Sequence, residues 1–347
     1  MRKHALTHLR KRRNKLFESR SSGNRNDISD LIMPIKEIDS NLILDEALLN
    51  GAKVQFPATS NEGSSLHVAS NENRWFLIGA SVTGNGHKNQ NLPCQDAHKT
   101  EIWSNGWGVA IVSDGAGSAK MSHLASAFLV DEAAKQAFEL VKSKNWMEDN
   151  LLPTEKVWDS EARKLLFGLQ DSLKKYANDF GIMLKELHAT LIINIFSPKG
   201  LLSVHIGDGR AGYLTKSGDM HASMEPFEGD QVGATVFITM DMENFKEIVQ
   251  TKVISEPVSA FFMLSDGCER VCWETIQQIK ETGKFIKPNK PFEPFFRHTI
   301  QALKDMHQSM KPELITENWY NYLESGHKGF IEENDDKTML IGISIDK

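Results

Sequence analysis

The sequence predicts an α+β fold, a central sandwich of two antiparallel β-sheets flanked by helical layers. Three observations predict it. Apolar runs of strand length meet at tight turn segments, as where "ATLIINIF" and "LLSVHIGDG" flank "SPKG", a hairpin signal. Helical runs are grouped apart from strand runs, which argues against a doubly wound sheet. Hairpins follow one another along the second half of the chain, which argues for antiparallel sheets, and there is no internal repeat.

Residues 1–73 read as an N-terminal extension, basic at its start and partly disordered. "SSGNRND" and "ATSNEGSSLHVASNEN" have linker composition. Between them "ISDLIMPIKEIDSNLILDEALLNG" holds enough apolar residues to pack, as a short helix. The main domain spans 74–347, and its first strand is "RWFLIGASV". A second apolar run, "VAIVSDGAGSA", ends at Asp114. The apolar period then lengthens to three or four over "SHLASAFLVDEAAKQAFELVKS", a helix with Ser122 as its expected N-cap. A second helix follows to Phe180, capped by Thr154 and closed by Gly181. Two successive helices predict an antiparallel pair. Strands return at "ATLIINIF", "LLSVHIGDG", the hairpin "AGYLTKSGDMHAS", "TVFITM" and "SAFFMLSDG". Helices are expected near 292–307 and 315–325, and the strand "TMLIGISI" ends the domain.

Composition excludes several classes. Hydrophobic residues are 40% and charged residues 25% of 347, a soluble balance. No apolar run approaches the ~20 residues of a membrane span, and no apolar core follows the basic N-terminus as a secretory signal requires. Three cysteines, Cys94, Cys268 and Cys272, build no disulfide framework and fit no zinc spacing. A reducing compartment, the cytoplasm, is expected. The net charge of −6 is uneven: residues 1–26 carry nine Lys or Arg against one Glu, or +8, leaving −14 for the other 321. A basic arm can meet nucleic acid, acidic lipid or an acidic partner, but a solvated tail is the plainer reading and nucleic acid is not expected.

Acids at strand ends carry the chemistry. Three apolar runs end in Asp-Gly, at Asp114, Asp208 and Asp266, while Asp335 and Asp336 precede the last strand and Asp96 sits in "LPCQDAH". Singly, an Asp-Gly after a strand is a turn, and Asp208 in particular fits a plain hairpin. Together, such carboxylates repel unless cations neutralise them. Hard oxygen ligands suit magnesium or manganese. Two such ions sharing a carboxylate can bridge a water, lower its pKa and stabilise charge on a phosphoryl group. Small residues after Asp114 leave room for an ion and for a backbone carbonyl to reach it.

In order, "QDA", "SDGAGSA", "HATL", "IGDGRAGY", "FFMLSDG" and "DDKT" resemble the metal-dependent serine/threonine protein phosphatases of type 2C, bacterial branch, from about Trp75 to Ile345. The resemblance implies an enzyme that hydrolyses phosphoserine and phosphothreonine in proteins through a water bridging two divalent cations, Mn2+ or Mg2+, with a weaker third. It implies Asp114 as the bridging acid, Gly115 as a carbonyl ligand, and Asp266 and Asp335 as ligands of the second ion. Asp96 then acts through water, and Asp208 serves the third ion. It also implies a phosphorylated protein substrate and a serine/threonine kinase whose action is reversed. The chain departs from the pattern at three places. Gln95 stands where many members have Glu. Asn91 stands where many have a phosphate-gripping Arg, leaving His87, Lys88 or Arg210 as substitutes. Ala116 stands where animal members often have His, and His87 is the candidate proton donor in its place. These departures leave open a pseudophosphatase or phosphoprotein-binding module associated with a kinase, or an enzyme for a small phosphate ester.

Overall fold

The computed structural model describes residues 62–68, 75–227, 235–241, 248–275, 277–278 and 285–345. The expected packed segment and basic arm of the extension lie outside these residues. In chain order the strands are β1 (Gly63–Val68), β2 (Trp75–Val82), β3 (Ala97–Ile102), β4 (Gly108–Ser113), β5 (Leu191–Ser197), β6 (Gly200–Ile206), β7 (Arg210–Thr215), β8 (Met220–Ala222), β9 (Gln250–Ile254), β10 (Val258–Leu264) and β11 (Lys337–Ser344). Among them lie α1 (Asn85–Gln90), α2 (Ser122–Ser143), α3 (Glu155–Phe180), α4 (Glu293–Ser309) and α5 (Pro312–Ser325). Shorter single turns and two-residue ladders fill some of the connections.

The strands form two antiparallel sheets. One runs β1-β2-β11-β10-β7-β8 and the other β3-β4-β5-β6-β9. Trp75, Leu77, Val112, Ile192, Phe196, Phe261, Met263 and Leu340 pack between the sheets. The opposite face of β2 and β10, with Phe76, Ile78 and Phe262, meets Phe296, Ile315 and Trp319 of α4 and α5. Val109, Ile111, Ile193 and Ile195 of the second sheet meet Leu129, Trp158 and Leu169 of α2 and α3. The result is a four-layer αββα molecule. Each central strand is buried on both faces, and this is why the strands read as unbroken apolar runs rather than alternating ones.

Helix signals translate directly in α3. Thr154 caps it by accepting from Val157 N–H, and Gly181 ends it at φ 67°, a left-handed value that favours glycine. In α2 the expected cap differs. Met121 occupies that position without a side-chain bond, and Ser122 is the buried first residue of the helix.

Three further segments differ from expectation. "TVFITM" is loop and turn, not a strand, over residues 235–240; Gln170 Nε2 donates to its carbonyls at Ile238 and Met240. The strand beside β6 is instead β9, "QTKVI". Residues 63–68, read as linker, form β1 and pair with β2 along six residues. Tyr320 Oη of α5 donates to Glu62 Oε1 at 2.6 Å just before that strand.

Candidate active site

β4 stops at Ser113, and the chain beyond it is fastened to the segment before β5. Thr190 N–H donates to Asp114 O at 2.8 Å, while Asp114 N–H donates to Thr190 Oγ1 at 3.1 Å. Ala116 N–H donates to His188 O at 3.0 Å. These bonds hold the Asp114 backbone rigidly at the strand end. A side chain at Gly115 would put its Cβ 2.6 Å from Gln95 O and 2.9 Å from Ser122 Cβ. Only glycine fits this close approach. Gly115 N–H also donates to Gln95 O at 3.1 Å, so the segment before β3 is tied to the same point.

Asp96 lies in that segment and is fully buried. Burial first, then repulsion from Asp336, pushes its carboxyl up to about 8. Hydrogen bonds from Ser265 and Thr338 act in the opposite direction. Asp114 is raised well above the carboxylate range by burial, then by Asp96 and Asp266. Asp266 begins a tight turn directly after β10 and Ser265. Burial raises it too, followed by repulsion from Asp335 and Asp208. Burial likewise raises Asp208, which Arg210 partly offsets. The chain at Asp208 is not a hairpin. β6 belongs to one sheet and β7 to the other, so the Gly207–Gly209 segment carries the acid across the rim between them.

The paired acids before β11 separate by environment. Asp336 is buried and committed: Oδ1 accepts from Gly84 N–H at 2.7 Å and Oδ2 from Gln95 N–H at 2.6 Å. Asp335 is exposed by area, yet its charge raises Asp96, Asp114, Asp208 and Asp266 alike. Asp335 therefore belongs electrostatically to the cluster, while Asp336 clamps the Gly84 and Gln95 segments together. The structure brings Asp96, Asp114, Asp208, Asp266 and Asp335 into one electrostatic neighbourhood. As they stand, no three described His, Cys, Asp or Glu side chains close on a single ion position.

The cluster has the chemistry of a cation site. Its acids are disfavoured as bare charges in a buried setting. Asp266 Oδ1 and Gln95 Oε1 are buried and accept no hydrogen bond among the described residues. Hard oxygens without partners beside repelling carboxylates fit Mg2+ or Mn2+.

His87 stands in α1, with Nδ1 2.9 Å from Asp336 Oδ1, an ion-pair distance without hydrogen-bond geometry. Its side chain is 12% exposed. Asn91 is the exposed left-handed cap of the same helix, φ 53°. Lys88 Nζ is paired with Glu324 at 2.7 Å, and buried Arg210 is paired with Glu269 at 2.7 Å. Sequence reasoning missed Asp336, Ser265 and Thr338 as supports. Serine and threonine at strand ends carry no pattern of their own, but the doubled acid of "DDKT" did offer a signal for Asp336.

The sequence profile described as protein phosphatase 2C matches residues 83–316, well over half the chain. The chain belongs to the protein phosphatase 2C family. Serine/threonine-protein phosphatase 3 of Escherichia coli (strain K12) is 27% identical over 276 residues, covering 78% of this chain and 98% of that protein. Among solved structures, the serine/threonine phosphatase Stp1 from Staphylococcus aureus has a TM-score of 0.46 at 14% identity, over 78% of this chain and 95% of its own. The catalytic domain of the serine/threonine protein phosphatase PstP in complex with two manganese ions has a TM-score of 0.45 at 14% identity, over 79% and 99%. As a protein phosphatase 2C, the chain is a phosphoric monoester hydrolase acting on proteins. Among the described residues, no helix is long and apolar enough to cross a membrane.

Proposed function

We propose that the enzyme removes phosphate from phosphoserine and phosphothreonine in a protein substrate, using two divalent cations, Mn2+ or Mg2+, and a weaker third. Asp114, Asp266, Asp335 and the Gly115 carbonyl would hold the pair, with Asp96 acting through water and Asp208 serving the third. The observation that carries this is the burial of mutually repelling carboxylates around an unpartnered Asp266 Oδ1. Bound there, the cations would supply an activated water and would offset charge on the phosphoryl group.

The remaining work falls to this chain's side chains. Asp336 holds α1 and the Gln95 segment against each other. His87, whose Nδ1 lies 2.9 Å from Asp336 Oδ1, would release a proton from Nε2 to the leaving serine or threonine oxygen. Lys88 and Arg210 are each paired with a glutamate, so their charge is already partly offset, although Arg210 Nε and Nη1 have no hydrogen-bond partner among the described residues. The catalytic unit is residues 74–347, with β1 added as an edge strand. Its three described cysteines are buried and form no disulfide with one another, which supports a reducing, cytoplasmic setting. The partner is the serine/threonine kinase that loads the substrate.

Gln95 and Asn91 favour a second reading, a phosphoprotein-binding module that binds cations without hydrolysis. Phosphate release from a phosphothreonine peptide, measured with Mn2+, Mg2+ or a chelator and beside p-nitrophenyl phosphate, separates the readings. Cation-dependent release from the peptide supports the phosphatase. Release from the small ester alone favours a different substrate, and cation binding with no release favours the binding module.

A further inference from the structure

A network of hydrogen-bonded polar groups, passing through both the hydroxyl and the backbone N–H of Thr338, runs from the edge strand to the acid cluster. Ser65 Oγ of β1 lies 2.9 Å from His98 Nε2. The other ring nitrogen, Nδ1, lies 2.8 Å from Ser81 Oγ of β2. Thr338 Oγ1 of β11 donates to Ser81 Oγ at 2.8 Å, and Thr338 N–H donates to Ser265 Oγ at 2.9 Å. Ser265 Oγ then donates to Asp96 Oδ2 at 2.7 Å. The His98 imidazole thus bridges two serine hydroxyls, one from β1 and one from β2.

The network is built into the fold rather than scattered on it. Ser81, Asp96, Ser265 and Thr338 are each no more than 1% exposed, where unpaired polar groups are costly. β2 carries glycine opposite the imidazole: a Cβ at Gly79 would lie 2.5 Å from His98 Cδ2. Asp96 and His98 are two residues apart at the start of β3. One network therefore fixes the carboxylate from the β10–β11 side and the start of β3 from the β1–β2 side.

We propose that His98 is a positioning residue for Asp96, with Ser65 of the edge strand completing its support. A strand within the segment read as the N-terminal extension is thereby linked to the catalytic centre. The inference rests on the phosphatase reading, since it assigns Asp96 to that centre.

The test combines Mn2+ calorimetry with steady-state kinetics on a phosphothreonine peptide for wild type, Ser65→Ala, Ser65→Thr and His98→Phe. Second-layer partners of metal sites typically cost 10–100-fold when removed. Ser65→Ala and His98→Phe are expected to lose about 10-fold in Mn2+ affinity and in kcat, with KM for the peptide unchanged. Ser65→Thr, which keeps the hydroxyl, is expected to behave as wild type. Ser65 is only partly buried, so its variants decide the matter if His98→Phe does not fold. Wild-type Mn2+ affinity and kcat in Ser65→Ala, with only the melting temperature lowered, would overturn the proposal alone. A wild type that neither binds Mn2+ nor releases phosphate would overturn the phosphatase reading and the inference with it.

Discussion

At the scale of single residues, the balance between burial and charge decides what each acid does. Asp114 is held above the carboxylate range by burial and by its acidic neighbours, so its ionised form destabilises the cation-free fold. Asp114→Asn removes that charge at nearly constant shape. In chelator, the variant is expected to be more stable than wild type, by about 1–3 kcal/mol, and its phosphatase activity is expected to collapse. Thermal melts in EDTA beside phosphate-release assays check both halves. A variant less stable than wild type in EDTA would show that the acid is not repelled there. His205 gives an opposite dependence on acid. It is fully buried in β6, and burial first, then Arg210, lowers it to about 3. The unfolded chain binds a proton near the ordinary value of about 6.5, so stability is complete above that pH and is lost progressively as pH falls toward 3. The loss is bounded at roughly 4–5 kcal/mol by that difference. Urea unfolding of wild type and His205→Gln between pH 7 and 4 should show a shallower slope in the variant. Asp114, Asp208 and Asp266 stand out in the sequence because each ends an apolar run, whereas Asp96 and Asp335 stand out only as members of the ordered set. Their supports do not: Ser81, Ser265 and Thr338 differ from ordinary strand residues only in what lies across from them.

At the scale of elements, caps and close approaches are the sensitive points. Thr154 closes the first turn of α3, and Thr154→Ala is expected to cost about 1 kcal/mol without touching Mn2+ affinity, read by denaturant midpoint and calorimetry. Gly115→Ala acts differently. Its Cβ would collide with Gln95 O and Ser122, so the strand end must shift. The expected cost is about 1–3 kcal/mol, together with a loss of Mn2+ affinity that Thr154→Ala does not share. Elements with a strong period or an uninterrupted apolar run were legible: α2, α3, β2, β10 and β11 fall where the pattern put them. Three misses have physical causes. "GSSLHV" is half polar and flanked by linker residues, yet it gains a full ladder from β2. "TVFITM" has strand composition, but its segment packs beside α3 and gives backbone carbonyls to Gln170. "QTKVI" is too polar to stand out, being only partly buried along most of its length. Asp208 looked like a turn because local sequence cannot show that its flanking strands join different sheets.

At the scale of the whole molecule, two sheets converge their strand ends on one rim, and that convergence gathers five acids that are far apart in sequence. The packed αββα layers tolerate the repulsion because Asp336 and the Ser265–Thr338 pair pin the loops in place. A cation that binds only the folded chain adds stability by mass action, about 2.7 kcal/mol at a hundred times its Kd. The melting temperature is therefore expected to rise with Mn2+ concentration in wild type. The most direct measurement is calorimetric titration of Mn2+ into wild type and Asp114→Asn. The account predicts binding of two or more ions to wild type and its loss in the variant. Absence of binding to wild type, or equal binding to both proteins, would contradict it.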